Sequence, residues 1–152
     1  MLSCPASVRI AVAADSEELF AFVWEAHEET RHAARSEAKI RYTIGIATEH
    51  RRNPVMAIIR TPRGIEAAIG LQFSQWWWSD DSVLMSFFYY VHPDHRRTTH
   101  AADLRTFAEW FAEQINMKCV LVDWSGTETG KTRLFARHGK LVGSMFEQGV
   151  AA

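Results

Sequence analysis

The chain predicts an α/β domain built around one mixed sheet, and three observations carry that prediction. Residues 83–91 (VLMSFFYYV) are apolar on both faces, as suits a central strand covered on each side. Residues 101–117 repeat Leu104, Phe107, Ala108, Phe111 and Ile115 along one helical face. Between them in kind is Thr61-Pro62-Arg63-Gly64, with Pro and Gly where a type I turn favours them, joining two apolar runs tightly.

The elements follow in order. Residues 8–13 (VRIAVA) read as a first strand. Asp15 or Ser16 caps a helix whose first turn carries Glu17 and Glu18, matching the helix dipole. Leu19, Phe22, Val23 and Ala26 form its buried face, and the pattern fades near Thr30. A second helix starts near Ser36, buries Ile40, Ile44 and Ala47, and ends before the turn at Asn53-Pro54. Residues 55–61 (VMAIIRT) form a strand. In the next one Ile65, Ala67, Ile69, Leu71 and Phe73 alternate against Glu66, Ala68, Gly70, Gln72 and Ser74, a half-buried pattern. Trp76-Trp77-Trp78 and Ser79 to Ser82 connect to the central strand. After the long helix come a strand at 119–124, a short helix with Leu134 and Phe135, and a last strand at 140–146. The order is β-α-α-β-β-β-α-β-α-β over one domain, residues 1–152.

Composition excludes several classes. Lys and Arg number 17 against 18 Asp and Glu, a net charge of -1, so neither a nucleic-acid field nor a polybasic membrane patch is expected. Two cysteines, Cys4 and Cys119, are too few for a disulfide framework and stand in no CxxC pair. The N-terminal residues lack the pattern of a signal peptide and no apolar run reaches spanning length, so a cytoplasmic protein is expected.

Residues 120–132 (VLVDWSGTETGKT) imitate a phosphate-binding P-loop. Gly126 and Gly130 enclose only Thr127, Glu128 and Thr129, one residue short of the wrap that a P-loop needs. Glu128 would also set a negative charge inside an anion cradle. The better anion site is the junction at 89–110, where the central strand ends, Pro93 breaks it, and His95-Arg96-Arg97-Thr98-Thr99-His100 enters the strongest helix. Unpaired amides and the positive dipole end converge there, with two arginines beside them.

This junction resembles the signature of the GNAT superfamily of acyl-CoA-dependent N-acetyltransferases: Val-x-Pro, then Arg/Gln-x-x-Gly-x-Gly/Ala opening a long helix. The chain has Val91-His92-Pro93 followed by Arg96-Arg97-Thr98-Thr99-His100-Ala101. Thr99 replaces the first glycine, and Ala101 matches the second small residue. Leu134-Phe135-Ala136-Arg137-His138-Gly139 resembles the family's later Leu-Tyr-x-x-x-Gly motif. The resemblance implies a mixed, mostly antiparallel central sheet with helices on both faces. It further implies acetyl-CoA as cosubstrate, an amine as acceptor, and coenzyme A held by Val91, Arg96, Arg97, Thr98, Thr99, His100, Ala101 and Phe135.

The family's chemistry needs an oxyanion donor and a route for protons. By resemblance the donor is the main chain of Val91. The family's usual tyrosine acid is replaced by Phe135, and no carboxylate lies on the signature strand. Alternation places Met85, Phe87 and Tyr89 in register with Val91, and Ser86, Tyr90 and His92 on the other face. Tyr89 and His92 are the catalytic candidates. The missing acid and base leave a binding-only acyl-CoA module or regulatory subunit as the alternative. His92, His95 and His100 cluster in sequence, but their spacing fits no standard ligand set, and no metal is expected. Trp76 to Trp78 suit an acceptor pocket or a contact between two copies, so a homodimer is considered. Arg31, His32 and Arg35 fall where the family shapes its acceptor site.

Overall fold

The structure is a computed structural model that describes residues 1–30, 33–50, 52–123 and 130–142. Two units are distinguished, Met1–Val122 and Asp123–Ala152. The first contains strands β1 (Arg9–Ile10), β2 (Val55–Thr61), β3 (Gly64–Gln75), β4 (Ser82–Val91) and β5 (Lys118–Val120). It also contains helices α1 (Ser16–Thr30), α2 (Glu37–Glu49) and α3 (His100–Gln114). In the second unit lies α4 (Gly130–His138).

The sheet runs in the order β1-β2-β3-β4-β5, antiparallel except for the parallel β4–β5 pair. This is the mixed, mostly antiparallel sheet that the resemblance implies. On one face Met56, Ile58, Ala68, Phe88 and Tyr90 pack against Leu19, Phe22 and Val23 of α1 and Ile44 and Ala47 of α2. On the other face α3 inserts Leu104, Phe107 and Ala108, all buried. Burying a side chain such as Phe107 or Leu19 stabilises the fold by about 1.5–3 kcal/mol each.

Local chemistry sets the element ends. Ser36 caps α2 by accepting the Lys39 amide at 3.3 Å. Asp15 does not cap α1. It is buried, receives both Arg9 guanidinium nitrogens at 2.7 and 2.8 Å, and accepts the Val12 amide at 2.8 Å. That knot ends β1 at Ile10, earlier than the apolar run suggests, and turns Ala13–Asp15 into a single 3-10 turn. Helix α3 stops at Gln114, before the sequence pattern does. Asn116 takes φ 53° and the Met117 amide turns back to Ala112, a left-handed terminus that asparagine tolerates.

Two β-bulges change the faces read from alternation. Along β2–β3 the pairing steps from Ile59↔Ala67 to Arg60↔Ile65, so Glu66 is the extra residue. Along β3–β4 it steps from Gly70↔Phe88 to Leu71↔Ser86, so Phe87 is the extra residue. Phe87 therefore packs with Phe88 and Tyr90 toward α1 and α2, and not in register with Tyr89. Ser86, opposite Leu71, shares the face of Tyr89. Nor is β3 half-buried along its length: Glu66 to Leu71 are buried on both faces, and exposure begins at Gln72. Small residues make this possible, because a Cβ on Gly70 would stand 2.5 Å from the Phe87 ring.

Strand β5 is also shorter than the sequence suggests, ending at Val120. Of the last expected strand, residues 140–142 are not in a strand, and 143–146 lie outside the described residues. The same holds for 124–129 of the P-loop look-alike, whose Gly130-Lys131-Thr132 opens α4. There Lys131 pairs with Asp123 at 3.5 Å and Thr132 also donates to it, so a carboxylate of the chain itself takes the place a phosphate would need.

Candidate functional site

The site forms where β4 leaves the sheet. Strand β5 pairs with β4 only at Val83, Leu84 and Met85. Beyond Met85 no described strand pairs with that edge, although the Val122 amide donates to the Ser86 hydroxyl at 2.8 Å. Amides along a strand point alternately to its two sides. The His92 amide donates to Glu66 O on β3 at 2.9 Å, so the Val91 amide points to the opposite, uncovered side. A main-chain donor is thereby left without a strand partner on that side.

Pro93 opens a 3-10 turn, Pro93–His95, and the chain then enters α3. Within this loop the Thr98 hydroxyl donates to His95 O at 2.6 Å and accepts the His100 amide at 3.2 Å. Thr99 stands at the helix N-cap position, and its carbonyl receives the Asp103 amide at 2.9 Å. The amides of Ala101 and Ala102 remain in the helix's open first turn. Asp103, in the same turn, accepts from Thr99 and Ser7 and keeps a negative charge there. Arg97 is exposed.

Arg96 is engaged by its own chain. Its Nη2 bonds both carboxylate oxygens of Glu29 on α1, at 2.7 and 2.6 Å, and Nε donates to Val91 O at 3.3 Å. Tyr90 donates to the same carboxylate at 2.7 Å, and the Arg96 guanidinium stands 5.6 Å from its ring centroid. Glu29 thus joins α1, β4 and the loop. Burial first, and the Glu29 carboxylate next, push the Tyr90 phenol well above its ordinary pKa.

The two catalytic candidates differ in setting. Tyr89 is buried against α3, donates to Ala101 O, and has its pKa raised chiefly by burial. Its proton is committed to a carbonyl. His92 is partly open, accepts the Asp94 amide on Nδ1 at 3.3 Å, and holds Nε2 3.6 Å from Glu25 on α1. Strand β4 itself carries no carboxylate. Glu25 and Glu29 come instead from a helix about 65 residues earlier, one helical turn apart on one face.

Residues of α1, α2, β2 and β4 line a cavity of about 170 Å³, among them His27, Lys39, Phe87 and Phe88. Burial, then Arg35, lowers the His27 pKa and favours its neutral form. Arg35 lies over the Trp24 ring at 4.1 Å and bonds Trp24 O and Glu28. Arg31 and His32 fall outside the described residues. Trp76 stacks on Trp78 with centroids 5.1 Å apart, while Trp77 projects into solvent, 91% exposed. Phe135, on α4, belongs to the second unit.

The remaining cluster was not anticipated. Glu66, the bulged residue of β3, is buried and meets His100 Nε2 at 2.7 Å and His95 Nδ1 at 3.6 Å through the same oxygen, Oε2. Its other oxygen accepts from Thr61 at 2.8 Å. The bond from His100 and, less strongly, that from Thr61 hold its carboxyl below the usual range. His100, read as a coenzyme ligand, faces the sheet interior through this contact.

The open, mixed sheet and its helices define a fold class. Comparison with solved structures makes it specific. A protein described as ribosomal-protein-alanine N-acetyltransferase from Brucella melitensis superposes with a TM-score of 0.73 at 11% identity, covering 95% of this chain and 97% of that one. A predicted acetyltransferase with acetyl-CoA from Clostridium acetobutylicum gives 0.72 at 14% identity over 99% and 96%. A GNAT family acetyltransferase from Staphylococcus aureus gives 0.61 at 12% identity over 94% and 97%. No family model and no curated relative matches the sequence. The chain has the GNAT acetyltransferase fold, carried by a divergent sequence.

Proposed function

We propose that the chain is one acyltransferase domain, residues 1–152, that moves an acetyl group from acetyl-CoA to a primary amine. The observation that carries this reading is the Val91 amide, turned to the uncovered side of β4 just before a loop that ends in a helix N-terminus. A thioester carbonyl set there would receive a hydrogen bond as its oxygen gains charge, while the pyrophosphate takes the first-turn amides of α3. Val91, Arg96, Arg97, Thr98, Thr99 and Ala101 are the proposed coenzyme contacts.

His92 is the proposed base. Its exposure and the neighbouring Glu25, 3.6 Å away, suit an imidazole that gains a proton from an attacking amine. The thiolate leaves without a tyrosine acid and takes its proton from water. Carboxylates at Glu25 and Glu29 favour a cationic amine as acceptor. A cytoplasmic location fits: no described helix is long and apolar enough to cross a membrane. The exposed tryptophans are the proposed contact if two copies associate.

A second reading rests on Tyr89. Its phenol is committed to Ala101 O, and Phe135 offers no proton, which favours a module that binds acyl-CoA without turnover. Incubation with acetyl-CoA and a panel of polyamine, amino-acid and peptide amines, with released thiol measured, separates the two. Release that needs both reactants supports the transferase. Coenzyme binding without release supports the module, and absence of coenzyme binding rejects both.

A further inference from the structure

We propose that Glu66, His95 and His100 form a binding site for one zinc-class divalent ion beneath the loop that precedes α3. The three residues come from different elements: the β3 bulge, the 3-10 turn and the first residue of α3. One potential ligand atom from each lies within 4.8 Å of the other two. Two imidazoles and a carboxylate form a donor set that zinc accepts, with a fourth position for water. Hard ions such as magnesium, which prefer oxygen alone, fit it poorly.

Spacing favours the assignment. Ligands about 2.0–2.1 Å from a tetrahedral ion stand roughly 3.3 Å apart. Glu66 Oε2 lies 2.7 Å from His100 Nε2 and 3.6 Å from His95 Nδ1, values on either side of that spacing. An ion bound by all three donors would take the place of the proton shared between Glu66 and His100. Outer groups already orient the Glu66 ligand. Thr61 occupies Oε1 and turns Oε2 toward the imidazoles, while the His92 amide fixes the Glu66 backbone. His100 Nδ1 is buried without a partner, so the ring's polar engagement runs through Nε2 alone. Side-chain exposure rises from 5% at Glu66 through 14% at His100 to 22% at His95, which gives an ion a way in.

An ion there would tie both ends of the loop 95–100 to β3. It would also add charge under the arginine-bearing segment. The bulge acquires a purpose, because without it the Glu66 side chain would turn to the opposite face.

The test uses untagged full-length protein, stripped with chelator, desalted, and titrated with zinc chloride in a calorimeter without any coenzyme. One equivalent is expected, and a parallel cobalt titration should give the visible bands of a four- or five-coordinate ion. Glu66→Gln and His95→Ala should each weaken binding by roughly tenfold or more. Wild-type protein is also treated with diethylpyrocarbonate, where zinc should protect His95 and leave exposed His50 reactive. No stoichiometric uptake, or uptake unchanged in both variants with His95 unprotected, overturns the proposal. Such a result leaves the cluster as a hydrogen-bonded brace. Because no coenzyme is present, either outcome is independent of acetyl transfer.

Discussion

Glu29→Gln offers a test in which the sign matters more than the size. Glu29 holds Arg96 by two short bonds, yet the two side chains are 44% and 46% exposed. An ion pair so open to water contributes about 0–1 kcal/mol. If Arg96 must turn from Glu29 to grip the pyrophosphate, that energy opposes coenzyme binding, and removing it tightens the complex by up to roughly fivefold. Gln keeps the shape and still offers Tyr90 an acceptor. Arg96→Ala removes the grip itself, a charge-assisted bond of about 1.5–3 kcal/mol, and should weaken binding roughly 10- to 150-fold. The double variant should match Arg96→Ala alone if Glu29 opposes the coenzyme by holding the arginine. Titration calorimetry with coenzyme A reads all four proteins. Tighter binding in the double variant than in Arg96→Ala, or weaker binding in Glu29→Gln, would refute the idea that the two anions compete.

Other predictions follow from the packing and the charges. Gly70→Ala brings a methyl within 2.5–2.9 Å of three Phe87 ring atoms and should cost about 1–3 kcal/mol in urea unfolding, recovered in part by adding Phe87→Leu. Asp15→Asn should cost about 1–3 kcal/mol at neutral pH, because it leaves the Arg9 fork and the Val12 amide short of a charged acceptor. The Arg9 guanidinium lowers the Asp15 pKa, so this contribution is complete above about pH 4 and is lost as pH falls through the lower folded value. Thermal melts from pH 7 down to pH 2 should therefore converge for wild type and variant. His92→Gln should lower the amine-dependent rate while leaving coenzyme affinity within twofold, roughly the span of an exposed substitution. Equal loss of affinity and rate would assign His92 to coenzyme binding.

The order of elements was legible because helix and strand periods are local. Leu104, Phe107 and Ala108 on α3 and Leu19, Phe22 and Val23 on α1 are buried as their spacing requires. The loop after Val91 was legible through Pro93 and the arginines. Less visible was anything that depends on register. A bulge at Phe87 is a property of two paired strands, and no residue of β4 alone announces it. Glu66 carried a faint signal, a carboxylate flanked by Ile65 and Ala67, but alternation sent it outward. Glu25 and Glu29 match no motif in the sequence, and only the packing of α1 over β4 brings them to His92 and Tyr90 respectively.

The bulge at Phe87 also gives strand β4 a spare residue. Ser86 and Phe88 already face opposite helix layers, so excising Phe87 would restore strict alternation and leave Tyr89 on Ala101 and Tyr90 on Glu29. The strand can lose a residue at this one point without exchanging its faces, and what it gives up is the ring packed beside Phe88 and Tyr90.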